Sequence, residues 1–329
     1  MSAARARSRP RRMAAEGVRW GADEFRNLVE CSIADMAFVR RPRATWKLRS
    51  RALQLSERTL VMGVLNVTPD SFSDGGEFFQ ADTAAARALA MLDEGADIVD
   101  IGGESTRPGS QAIGAQEEMD RVLPVIETVL RARPDCVISV DTYKAATARA
   151  AVAAGAEIVN DVSGFAWDAE MARACAELRC GVVLMHTRGR PAEWKTQPRL
   201  RRDEVVPLVR GGLARSLEQA VATGVERERV VLDPGFGFGK VGGENYPLLA
   251  RLEELLTLGQ PLLAGVSRKS FLGRTVAAGG MSAPPDEREN ATLAATTAAI
   301  LAGTHIVRVH EVRPAVEAAR IADAILAEV

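Results

Sequence analysis

Cysteine and histidine are scarce in this 329-residue chain, with four of one and three of the other. The cysteines (Cys31, Cys136, Cys175 and Cys180) are scattered and form no CxxC pair. They read as reduced, mostly buried thiols of a cytoplasmic protein. No cysteine or serine has triad-like surroundings, so the sequence offers no obvious covalent nucleophile. Charge of one sign is also missing: 42 Lys and Arg stand against 43 Asp and Glu, a formal net charge of -1. That balance argues against nonspecific nucleic-acid binding and leaves only local basic clusters to grip phosphate. No apolar run approaches the roughly 18 residues a membrane span needs, so a soluble protein is expected, with no membrane partner.

What the chain does have is a core-forming composition, 47% hydrophobic, over a length that allows one large barrel or two smaller domains. Residues 1–43 read differently from the rest. Arg5, Arg7, Arg9, Arg11 and Arg12 fall in a stretch without an acid. It resembles a transit peptide in charge without the amphipathic period, and reads as a disordered basic extension. A short amphipathic helix is expected over Asp23 to Phe38, and Met13 and Met36 are alternative starts. The catalytic domain is expected over 44–329.

From Thr59 onward, apolar strand-like runs alternate with Ala-rich helical stretches. Strands are expected at Thr59–Leu65, Asp97–Ile101, Cys136–Val140, Glu157–Asn160, Gly181–Met185, Val230–Leu232, Pro261–Gly265 and His305–Val309. Helices are expected at Asp82–Glu94, Ala115–Arg131, Ala145–Ala154, Asp168–Leu178, Asp203–Thr223, Asn245–Leu256, Glu287–Ala302 and Arg313–Ala327. Parallel strands need crossover helices, and eight such units close a barrel, so the pattern predicts an α/β fold, a (β/α)8 TIM barrel. A doubly wound open sheet is the alternative. Trp46 to Leu55 alternates like a strand pair and predicts an N-terminal β-hairpin covering the barrel floor.

The densest signal is Met62 to Gly76, MGVLNVTPDSFSDGG, where an apolar run gives way to small polar residues. Similar switches follow every expected strand. Asn66 follows the first, Gly103 to Pro108 the second, Asp141 the third, Asn160 and Asp161 the fourth and His186 the fifth. Asp233 to Lys240 follows the sixth, Ser267 to Ser270 the seventh, and Arg308 and His310 mark the eighth. Any one of these could be a helix cap or a satisfied polar residue. Together they place polar groups on one rim, the carboxyl face where barrels assemble active sites. Arg107, Arg268, Lys269, Arg308 and His310 beside glycine-rich backbone suit a diphosphate. Asn66 could help to hold magnesium, which commonly pairs with diphosphate and keeps several waters. Asp141, Asn160 and Asp233 offer carboxylate and amide edges that suit an aminopyrimidine ring.

The blocks MGVLNVTPDSFSDGG, DIVDIGGESTRPGS, ISVDT, IVNDVSG, VVLMHTRG, LDPGFGFGK, GVSRKSFLG and HIVRVHEV, in this order, resemble dihydropteroate synthase, the pterin-binding transferase family of folate biosynthesis. The resemblance covers about Thr59 to Val329. It implies condensation of dihydropterin diphosphate with 4-aminobenzoate, giving dihydropteroate and diphosphate, with Mg2+ as cofactor. By matching motif, it implies that Asn66 lies near the metal, that Thr106 contacts the diphosphate arm, and that Asp141, Asn160, Asp233 and Lys269 form the pterin pocket. Met185 would pack on the pterin ring. Arg308 and His310 match the diphosphate site, and Asp141, Lys269, Arg308 and His310 form the expected catalytic group. Pro69, Phe72, Thr106, Arg107, Pro108, Phe238 and Ser267 would frame the aminobenzoate, where sulfonamides compete. Thr68, Pro69, Phe72 and Asp74 belong to an expected lid, and a homodimer through the late helices is implied.

Tyr143 departs from the family pattern, which has a small hydroxyl residue after VDT. Two rivals are a methyltransferase domain that presents methyltetrahydrofolate and a noncatalytic pterin-binding paralogue. The first would lack the SRKS block and the second would have lost Arg107, Lys269, Arg308 or His310; all are present.

Overall fold

A computed structural model describes residues 38–55, 57–68, 77–105, 111–277 and 282–329. The expected extension and its helix lie outside these residues up to residue 37, as does the lid from 69 to 76.

Chain entry is held by backbone and side-chain bonds from Val39 onward. Val39 N donates to Leu301 O at 3.0 Å, and the buried Arg41 donates to Thr59 Oγ1 at 2.7 Å and pairs with Asp323 at 2.5 Å. Strands β1 (Thr45–Lys47) and β2 (Ala52–Gln54) then form the expected antiparallel hairpin.

Eight parallel strands follow: β3 (Leu60–Asn66), β4 (Ile98–Gly102), β5 (Val137–Asp141), β6 (Ile158–Asp161), β7 (Gly181–Met185), β8 (Val230–Asp233), β9 (Leu263–Ala264) and β10 (Ile306–Val309). Their order in the sheet is β8-β7-β6-β5-β4-β3-β10-β9. The ring closes where Leu232 bridges Leu262 in parallel and donates its amide to Pro261 O at 2.9 Å. Crossovers run through α1 (Glu77–Asp93), α2 (Ala115–Ala132), α3 (Ala145–Ala153), α4 (Met171–Leu178), α5 (Val205–Thr223), α6 (Asn245–Ala250), α7 (Ser270–Val276) and α8 (Glu289–Leu301), and α9 (Val312–Leu326) ends the fold. No helix among the described residues is long and apolar enough to cross a membrane.

Strand side chains alternate between faces, so the barrel interior fills in layers. The lowest layer is apolar: Met62, Ile98, Val137, Ile158, Val183, Val231, Leu263 and Ile306 cluster with Trp46, Leu48 and Leu55. The hairpin therefore plugs the floor, and Trp46 Nε1 donates to Arg229 O at 2.8 Å. The opposite strand faces meet the helices in a second, larger cluster.

The helix expected over Asn245–Leu256 breaks instead at Arg251 into α6 and a 3-10 segment, Leu252–Leu258. Helix α4 starts three residues later than expected because Asp168 is engaged elsewhere. Its carboxylate accepts from Glu170 N at 3.0 Å and from Ala145 N, the first residue of α3, at 2.8 Å.

Candidate active site

Two residues above the floor, the inward positions change character to Asp100, Ser139, Asn160, Met185, Asp233, Gly265 and Arg308, and two further along lie Asn66, Gly102 and Asp141. Parallel register is what puts them side by side: Asp141 pairs with Gly102 on one neighbour and with Asn160 on the other, and Met185 pairs with Asp233.

An ionic cluster joins four of these residues. Arg308 Nε donates to Asp100 Oδ2 at 2.7 Å and its Nη2 to Asp141 Oδ2 at 2.6 Å. Asn160 Nδ2 donates to the same Asp100 Oδ2 at 2.8 Å. Asp100 is fully buried, and its Oδ1 has no hydrogen-bond partner among the described residues. Burial pushes the Asp141 carboxyl up, to about 7; Arg308 pulls the other way, and Asp100, Glu118 and Asp161 add repulsion. Burial works against the Arg308 charge, but Asp100 and Asp141 outweigh it and raise its pKa above the ordinary value. Only two of the five guanidinium donors are used in these bonds, so others remain for an anion.

Across the mouth, β8 ends in Asp233 and a glycine turn. Gly235 has φ +66°, and a Cβ there would stand 2.1 Å from His186 O, so only glycine fits. The turn brings Gly235 N to Asp233 Oδ1 at 2.7 Å. Burial raises the Asp233 pKa against this bond and the charges of Lys269 and Arg308. The Lys269 ammonium lies 3.9 Å from the centroid of the Phe238 ring, and burial lowers its pKa to about 8 despite Asp233 and Asp141. Trp194 packs edge-on against that ring at 5.1 Å. Ser267 Oγ lies 2.9 Å from His310 Nδ1 and accepts from His310 N at 3.2 Å.

The structure thus gathers Asp141, Asn160, Asp233, Phe238, Ser267, Lys269, Arg308 and His310 at the mouth, with Met185 buried beside Gly235. Asn66 ends β3 on the same rim, and Thr68 follows it. Pro69, Phe72, Asp74, Thr106, Arg107 and Pro108 lie outside the described residues. Two expected rim residues turn away. Arg268, at φ +56°, pairs with Glu311 at 2.5 Å instead of joining the anion site. His186 is buried, with its Nδ1 3.0 Å from Nζ of Lys240, which is buried more deeply still. Burial, then Lys240, holds its pKa well below the ordinary value.

Asp100 and Tyr143 have roles that the sequence reading did not assign. A count of alternate residues from Ile98 would have found Asp100, since it puts a carboxylate inside a barrel. Tyr143 donates to Glu104 Oε1 at 3.0 Å, and Lys144 binds the other oxygen of that carboxylate at 2.5 Å. Among the described residues no three His, Cys, Asp or Glu side chains group as a cation cage.

A family model described as "Pterin binding enzyme" matches residues 62–310. The dihydropteroate synthase of Bacillus subtilis (strain 168) is 44% identical over 275 residues, which covers 84% of this chain and 91% of that protein. The Mycobacterium leprae (strain TN) dihydropteroate synthase is 48% identical over 265 residues, covering 80% and 92%. A solved structure of Xanthomonas albilineans dihydropteroate synthase with 4-aminobenzoic acid superposes with a TM-score of 0.78 at 41% identity, covering 87% of this chain and 99% of that one.

Proposed function

The chain belongs to the pterin-binding enzymes, as a transferase of the dihydropteroate synthase type, and from that premise we propose how its own residues carry the reaction. The substrates are (7,8-dihydropterin-6-yl)methyl diphosphate and 4-aminobenzoate, and the products are 7,8-dihydropteroate and diphosphate.

The observation that carries the assignment of roles is the Asp141–Arg308 pair at 2.6 Å, set between Asn160 and the Asp233 turn. Asn160 and Asp233 read the aminopyrimidine edge, Met185 packs on the ring face, and Lys269 lies over the mouth. Arg308, with His310 beside Ser267, takes the diphosphate. Its remaining donors stabilise the charge that gathers on the leaving oxygen. The bond from the pterin methylene carbon to that oxygen breaks with its electron pair going to oxygen. The Asp141 carboxylate, released in part from Arg308 by the diphosphate, stabilises the cationic pterin left behind. The aniline nitrogen of 4-aminobenzoate is neutral near pH 7. It closes the new carbon–nitrogen bond and loses one proton to water. Thr106, Arg107, Phe238 and Ser267 frame the aminobenzoate, and Thr68, Pro69, Phe72 and Asp74 belong to a covering lid.

Asn66 is the residue we propose to hold magnesium. A single neutral oxygen on the rim, with no cage of acidic side chains among the described residues, fits an ion that would keep several waters and pair with diphosphate. When bound, that ion neutralises diphosphate charge. A cytoplasmic homodimer is part of the same proposal; exposed Ile321 and Ile325 on α9 support an interface there.

Incubation with dihydropterin diphosphate, radiolabelled 4-aminobenzoate and magnesium, followed by chromatography, tests the reading. Labelled dihydropteroate is expected, and a folded protein that binds the pterin but yields none would point to a noncatalytic paralogue.

A further inference from the structure

Asp100 bonds to two residues to which the reaction assigns a role, Arg308 and Asn160, and it bonds to both through one oxygen. We infer that Asp100 is a positioning residue that fixes which end of the Asn160 amide meets the pterin, and so makes this pocket selective for a ring edge that donates hydrogen bonds. The inference rests on the proposed pterin pocket.

An amide side chain can present either a donor or an acceptor, and an unconstrained Asn160 could turn to suit either kind of ring. Asp100 removes that choice. Its Oδ2 accepts a charge-assisted bond from Arg308 Nε at 2.7 Å, so this oxygen faces its neighbours as an acceptor. Only the NH2 end of Asn160 can face such a group, and Nδ2 does so at 2.8 Å. The carbonyl Oδ1 is therefore the end left for a ligand.

Asp233 is constrained in the same sense. Its Oδ1 is taken by Gly235 N at 2.7 Å, and its Oδ2 lies 3.9 Å from where a Cβ on Gly265 would stand, over the barrel interior. The two side chains that read the ring thus both present oxygens. A ring with neighbouring N–H and amino donors satisfies both. One with a carbonyl in place of the amino group leaves a buried acceptor facing an acceptor, the kind of mismatch that sites reject most strongly. Asp100 and Asn160 are both nearly fully buried, so no bulk water stands in for a lost partner.

Calorimetry with 6-hydroxymethyl-7,8-dihydropterin tests this, because a ligand without diphosphate does not report on anion binding by Arg308. In Asp100→Asn the new amide can donate to Asn160 Oδ1 and turn its NH2 toward the ring, so affinity is expected to fall tenfold or more. In the swap Asp100→Asn with Asn160→Asp, residue 100 donates and residue 160 again offers an oxygen to the ring, so affinity is expected to return to within about threefold of wild type. The swap also keeps a carboxylate beside Arg308, so the comparison of two ring analogues is what separates reading of the ring from neutralisation of Arg308. The wild-type protein is expected to bind the analogue with a carbonyl in place of the 2-amino group at least a hundredfold more weakly. Unchanged affinity in a folded Asp100→Asn protein, a swap no better than the single variant, or equal binding of the two ligands by wild type would each overturn the inference. Wild type that binds neither ligand would instead sink the pterin pocket itself.

Discussion

At the level of single residues, the mouth of the barrel holds charges that the fold itself disfavours. Asp141, pushed up to about 7, and Lys269, brought down to about 8, lean toward their neutral forms. If catalysis needs Asp141 ionised and Lys269 charged, kcat/KM rises with pH through about 7 and falls through about 8, a narrow bell. Asp141→Asn is expected to remove the acid limb and to lower kcat by about 10²- to 10³-fold, in line with loss of one preorganised charge partner. A retained acid limb in a pH-rate profile would assign it to another group. Arg308→Lys keeps a positive charge but loses the planar fork that binds Asp100 and Asp141 together. It is expected to raise the KM for the pterin diphosphate about tenfold, roughly 1.4 kcal/mol, with the KM for 4-aminobenzoate little changed; equal KM values would remove Arg308 from the anion site.

At the level of elements, the short strand β9 depends on a neutral histidine. His305 Nδ1 accepts from Leu262 N at 3.2 Å, and its Nε2 faces Pro42 O at 3.0 Å, which requires the proton on Nε2 alone. Burial, against the Pro42 bond, lowers its pKa from 6.5 to about 4. The unfolded chain binds this proton first as pH falls, so the contribution of His305 is whole above about 6.5 and is lost progressively toward 4. In urea melts across this range, His305→Gln is expected to flatten the slope, with a difference from wild type of about 1–3 kcal/mol; parallel curves would show that the histidine is already charged in the fold. The strands were legible in the sequence because a parallel sheet covered on both faces reads as continuous apolar runs. Several ends were misplaced by one residue, since Asn66, Asp141, Asp161 and Asp233 are polar yet still pair as the last residues of their strands. The rim was readable for the same reason, as polarity there interrupts an apolar run. Asp100 escaped because apolar neighbours surround it and its partner Arg308 lies 208 residues away. Helix α7 escaped because seven residues hold too little of a helical period.

Across the whole molecule, the barrel separates stability from chemistry: the hairpin seals one end with apolar side chains while the buried charged layers lie toward the other. Trp46→Ala removes a fully buried indole at the sealed end and is expected to destabilise the fold by about 3–5 kcal/mol without changing kcat/KM at low temperature. The same separation bears on where the folded unit begins. Residues 1–43 read in sequence as one basic extension, yet Val39, Arg41 and Pro42 bond to the barrel through Leu301, Asp323 and His305. Arg41 is the strongest of these ties, since its side chain is 4% exposed and Asp323 Oδ1 also accepts from Thr59 Oγ1 at 2.8 Å. Its loss would leave a largely buried carboxylate short of its cation, a change worth about 3 kcal/mol or more. A protein starting at Ala44 is therefore expected to melt several degrees lower than one starting at Phe38, and Arg41→Ala in the latter reproduces most of that drop. Both truncated proteins should keep their turnover at low temperature, because none of the lost bonds reaches the mouth; equal melting of the two would place the boundary at residue 44 after all.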